Sequence, residues 1–92
     1  MNISFLDRFR RQCRAASSQD RAAILKLILD LEIVLAKPQE HSGLGLRKIH
    51  PSGYWEARAG LSLRAVFWLG KDEVAFVFLG NHDEVKRFLS SL

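Results

Sequence analysis

The chain has 92 residues, enough for one hydrophobic core and too few for two, so a single domain over 1–92 is expected. With 48% hydrophobic and 26% charged residues, six Gly and two Pro, the composition is that expected of an ordinary soluble globule rather than a disordered or membrane protein. Fourteen Lys and Arg against ten Asp and Glu leave +4, with nine of the basic groups in residues 1–50, a surplus compatible with a polyanionic partner but not diagnostic of one.

Phe5 to Ala16 sets Phe5, Leu6, Phe9, Cys13 and Ala16 on one helical stripe, with Arg8, Arg10, Arg11 and Arg14 around the rest. This basic outer face is either solvated or in contact with phosphate. Cys13 is the only cysteine, so no internal disulfide forms, and no Cys/His pair stands at zinc spacing. A reducing, cytoplasmic setting is expected, with no metal and no cofactor.

Ser17 and Asp20 read as the cap and first-turn acid of a second helix that Pro38 stops. Its stripe Ile24, Leu27, Ile28, Leu31 and Leu35 is widened by Leu25, Leu29 and Ile33, which predicts burial on more than one side. The apolar run Ala22 to Ala36 holds Lys26, Asp30 and Glu32 and is too short to span a bilayer; with no signal-peptide pattern at the N-terminus, no membrane association is expected. Gly43 and Gly45 mark a loop, after which the period changes to two.

Strands follow at Leu46–His50, Tyr54–Ala59, Leu63–Leu69 and Glu73–Leu79, separated by short turns, and a last helix starts near Asp83. The expected fold is α+β: two N-terminal helices packed on one face of a roughly four-stranded antiparallel sheet, with a short C-terminal helix, all helices over the same face. A three-residue turn at Gly60–Ser62 pairs Ala59 with Leu63 and therefore Arg58 with Arg64. Trp55, Ala57, Ala59, Leu63, Ala65, Phe67 and Leu69 then form an apolar face for the helices, while Tyr54, Glu56, Arg58, Arg64, Val66 and Trp68 share the other.

Two arginines directly across a sheet repel by a few tenths to about 1 kcal/mol, so the pair calls for an anion. Glu56 is one answer and a phosphodiester the other, since guanidinium forks match phosphate oxygens. Pairing Leu69 with Glu73 sets Phe78 beside Arg64 and His82 beyond it; pairing His50 with Tyr54 sets Lys48 opposite Glu56. Lys48, Arg58, Arg64 and His82 then converge at one end of one face.

The closing stretch "FLGNHDEVKRFL" admits two readings. Asn81 and Glu84 suit a capping box and Asp83 the positive helix end. That account has no need of histidine, whereas His82 with Asp83 or Glu84 supplies an acid and a base for cutting RNA, with Arg58, Arg64 and Lys48 holding charge. His41 and His50 read as plain surface residues.

"LRKIHPSGYWEARAGLSLRAVFWL" followed by "VAFVFLGNHDEVKRFL" resembles the RelE/ParE superfamily of toxins from type II toxin-antitoxin modules, its RelE-like branch above all. The resemblance spans nearly the whole chain and implies a metal-independent, ribosome-dependent mRNA endoribonuclease, an mRNA interferase inhibiting translation, held inactive by a cognate antitoxin. It implies that Trp55 is a core aromatic, that Arg58 and Arg64 are the basic strand positions and that His82 and Asp83 form the strand-to-helix junction, with Lys48 a looser match. Lys86 stands where similar chains carry tyrosine. The same resemblance also leaves a ParE-like DNA gyrase inhibitor, or a toxin-like binding module without chemistry, as alternatives.

Overall fold

The computed structural model describes residues 1–36 and 44–92. The expected helix stop at Pro38, the loop glycine Gly43 and the expected surface position of His41 lie outside the described residues. The elements run β1 (Asn2–Phe5), α1 (Asp7–Ala15), α2 (Ser18–Ala36), β2 (Arg47–His50), β3 (Tyr54–Ala59), β4 (Leu63–Leu69), β5 (Glu73–Gly80) and α3 (His82–Ser90). The strands form one sheet in the order β1-β5-β4-β3-β2.

The α+β class is as expected, with a fifth strand added at the edge. Asn2–Phe5, expected to lead into a helix, instead pairs parallel with β5, Ile3 opposite Val74 and Phe5 opposite Phe76. Phe5 does touch Phe9, at 6.0 Å between ring centroids, but from a strand; it also stacks on Phe76 at 5.4 Å. A four-residue segment is too short for alternation to be told from a helical stripe.

Ser17 Oγ accepts from the Asp20 N–H at 3.1 Å, the expected cap of α2. Phe9, Ile24, Leu27 and Leu31 bury against Ala57, Ala59, Ala65, Phe67 and Phe76. Alanines at the sheet centre let the helices approach closely, and each large side chain so buried contributes about 1.5–3 kcal/mol. Helix α2 is buried on one side only, against expectation: Leu25, Leu29 and Ile33 remain 59%, 55% and 59% exposed. The apolar stripe is wider than the sheet beneath it can cover.

Helix α3 lies on the opposite face, which corrects the expectation of all helices on one side. Val85, Phe88 and Leu89 pack there with Val66, Val77, Phe78, Ile49 and Tyr54. A bulge in β5 between the partners of Val66 and Phe67 makes Val77 an extra residue, so Val77 and Phe78 both turn toward α3 and build its seat.

The β3–β4 register is the expected one, Ala59 opposite Leu63 and Arg58 opposite Arg64, with Gly60 at φ +73° opening the turn. Between β4 and β5 the hairpin pairs Leu69 with Val74 rather than Glu73, and the bulge shifts the register once more. Two single shifts restore the side-chain parity, so Gly80 rather than Phe78 stands opposite Arg64. In β2, His50 pairs with Tyr54 as expected, but an irregularity between Lys48 and His50 sets Arg47 opposite Glu56 and Lys48 opposite Trp55.

Candidate functional site

The face that carries α3 also carries the charged ends of β2, β3 and β4. Arg58 and Arg64 stand directly across from each other there, Arg58 exposed and Arg64 half-buried. Arg58 lies flat along the loop before β2: a Cβ at Gly45, whose φ is +60°, would fall 2.6 Å from Arg58 Nε. The Arg58 N–H donates to the Leu44 carbonyl at 2.7 Å, which holds that loop in place. Glycine at 45 is what leaves room for the guanidinium.

Nη1 of Arg64 is buried, and none of the described residues accepts its hydrogen bond. A buried donor without a partner costs about 1–3 kcal/mol. Glu56 does not answer it. Its carboxylate is the buried charge of the sheet, 6% exposed, and its Oε1 is 3.1 Å from Arg47 Nε. No described carboxylate stands at ion-pair distance from Arg58 or Arg64. Among the described residues their like charges therefore face one cleft without an ion-pair partner.

That cleft, about 230 Å³, is lined by Gly45, Arg47, Glu56, Arg58, Arg64 and His82. A neighbouring cleft of about 250 Å³ shares Arg47, Glu56 and His82 and reaches Lys86 along α3. Glu56 and His82 thus belong to both, an acceptor and an imidazole beside the guanidinium groups of Arg47, Arg58 and Arg64.

The strand-to-helix junction divides its polar residues between structure and site. Asn81 Oδ1 accepts from the Glu84 N–H at 2.9 Å, and Glu84 Oε1 accepts from the Asn81 N–H at 2.8 Å, a reciprocal capping box. Gly80 is required for it, because a Cβ there would lie 2.9 Å from both Glu84 Cβ and Phe78 Cε2. Asp83 is exposed in the first turn of α3 and lines neither cleft, where it complements the helix dipole. His82, one residue past the cap, is the junction residue that reaches the site.

Lys48 does not join the cluster. Opposite Trp55, whose ring packs against the α1–α2 core, it belongs to the other face of the sheet, and Arg47 takes the place foreseen for it. Tyr54, the only tyrosine of the chain, lies at the far end of β3 and packs edge-on against Phe88 at 6.3 Å. Sequence reasoning passed over Glu56 as a group acting in its own right. The available signal was a carboxylate on a strand face between apolar neighbours, Tyr54 on one side and Val66 across.

No protein-family model matches the sequence, and no curated protein does either. Solved structures do share the fold. A chain of the E. coli DinJ-YafQ complex superposes with a TM-score of 0.64 at 16% identity, over 91% of this chain and 96% of that one. A YoeB/ParE toxin from Agrobacterium tumefaciens gives 0.67 at 17% identity, over 89% and 99%. YafQ from E. coli strain BL21(DE3) gives 0.63 at 15% identity, over 91% and 96%. The architecture is RelE-like, that of these toxin structures.

Proposed function

We propose that the chain is the toxin of a type II toxin-antitoxin pair and acts as an endoribonuclease on mRNA, inhibiting translation. The reading rests on one observation: the Arg58–Arg64 couple, which has no ion-pair partner among the described residues, shares a cleft with a buried carboxylate, Glu56, and an imidazole, His82. The likeness of fold to YafQ and a YoeB/ParE toxin supports it.

RNA supplies its own nucleophile. Glu56, held by Arg47, accepts the proton of a 2′-hydroxyl, whose oxygen attacks the adjacent phosphorus. Arg58 and Arg64 lie across the pentacoordinate phosphorane, and the unsatisfied Nη1 of Arg64 gains an acceptor as negative charge develops on its oxygens. His82 in its protonated form gives a proton to the departing 5′-oxygen. The products are a 2′,3′-cyclic phosphate and a 5′-hydroxyl, and every proton is carried by a side chain of this protein.

Glu56 takes the part that the sequence assigned to Asp83 or Glu84, because Glu84 is committed to the cap and Asp83 lies outside the clefts. The cleft is open at the surface and accessible to a free single strand, and the resemblance to RelE-like toxins points to mRNA held on the ribosome as its substrate in the cell. The partner is a cognate antitoxin, by analogy with the DinJ-YafQ complex.

Induced expression arrests growth and cuts transcripts. Arg64→Ala and His82→Ala each lower cleavage by about 10²–10³-fold. Variants as toxic as the parent would remove these residues from the mechanism. Intact transcripts with broken DNA would instead make the chain a gyrase poison.

A further inference from the structure

A second basic pocket, about 260 Å³, lies on the other flank of α3. Arg8 of α1, Phe78 of β5, and Arg87 and Phe88 of α3 line it. Phe78 and Phe88 stack with centroids 4.7 Å apart and planes at 16°, and the Arg8 guanidinium stands over the Phe78 ring at 5.5 Å. Glu84 also borders the pocket, but its Oε1 is held by the Asn81 N–H, and no described carboxylate is at ion-pair distance from Arg8 or Arg87.

Helix α3 therefore separates two cationic hollows on one face of the sheet. His82 and Lys86 line the hollow beside Glu56, whereas Arg87 and Phe88, on the opposite side of the helix, line the one beside Arg8. A helix with its side chains is about 10–12 Å across, a distance that one extended strand of RNA bridges. Guanidinium groups beside stacked rings are the combination that single-stranded nucleic acid uses, phosphates on the charge and bases on the π-faces. The face of Arg8 is engaged with Phe78, which leaves its N–H edge for an anion.

We infer that the Arg8–Arg87 pocket binds a flanking phosphodiester of the same single strand whose scissile phosphate sits between Arg58 and Arg64, so that the RNA crosses over the start of α3. The inference rests on the ribonuclease reading and extends it by naming the strand's path. Arg8 and Arg87 position RNA rather than react with it.

The test is fluorescence anisotropy with labelled 2′-O-methyl RNA, which cannot be cleaved, in two lengths: a trinucleotide and a dodecanucleotide. The Arg8→Gln/Arg87→Gln chain, altered only at exposed positions, is expected to bind the dodecanucleotide about 10-fold more weakly and the trinucleotide unchanged. Its salt dependence should be shallower by about 0.7 in log–log slope for each phosphate that the two side chains no longer neutralise. Unchanged affinity and slope for the long strand, or equal weakening at both lengths, would overturn the inference. In either case Arg64→Ala still weakens both lengths if the ribonuclease reading holds. A parent chain that binds neither RNA, with Arg64→Ala indistinguishable from it, would defeat that reading and the path together.

Discussion

Replacing Arg64 by methionine is expected to make the protein more stable and nearly inactive. Methionine keeps most of the side chain's length and apolar packing while removing the charge. Two costs of the parent disappear with the guanidinium. Repulsion from Arg58 directly opposite is a few tenths to about 1 kcal/mol, and the buried, unaccepted Nη1 is a further 1–3 kcal/mol, roughly. Because the rest of the half-buried group keeps contact with water, the low end applies, and the net gain is about 1 kcal/mol. In a domain of this size that raises Tm by about 4–8 °C. Arg58→Met, at an exposed position with no orphaned donor, should recover only the repulsion and gain about half as much. Cleavage of a synthetic RNA should fall about 10²–10³-fold for Arg64→Met. Urea unfolding and a gel-based cleavage assay on the same preparations provide both readouts. A variant that is less stable than the parent and still cuts RNA would show that the guanidinium ties the sheet together and has no ligand to bind.

Gly80→Ala should cost about 1–3 kcal/mol in urea unfolding, because the new Cβ meets Glu84 Cβ and Phe78 Cε2 at 2.9 Å and must push α3 off its seat. Arg47→Ala frees the Glu56 carboxylate and should lower RNA cleavage, whereas Lys48→Ala, on the other face of the sheet, should leave it unchanged. Burial pushes the Cys13 thiol up, so it stays protonated near neutral pH and should react with a disulfide reagent several-fold more slowly in the native than in the urea-unfolded chain. The contribution of this thiol to stability is present below the unfolded pKa and is lost as pH rises through the higher folded value.

The β3–β4 hairpin was legible because a three-residue turn with glycine at its head leaves one register, and that register alone sets Arg58 against Arg64. The cap at Asn81 and Glu84 was legible for a similar reason, being local. What escaped was set by non-local contacts. A bulge carries no fixed residue signature, so the irregularity before His50 exchanged Lys48 for Arg47 without warning. The extra Val77 in β5 likewise turned two consecutive residues to one face and carried α3 to the side opposite α1 and α2. Strand β1 pairs in parallel with a remote strand and has no turn to announce it. The importance of Glu56 depended on which cation would reach it, and its neighbour across the irregular strand took it away from the two arginines on its own face.

The edge strand Asn2–Phe5 has a consequence for synthesis. It finds its partner only in a strand remote along the chain, Ile3 on Val74 and Phe5 on Phe76, so an emerging nascent chain holds an unsatisfied β-edge until that strand has been made. Closing so long a loop is entropically slow. Neither the sheet nor the cleft is whole before β5 and His82 have emerged.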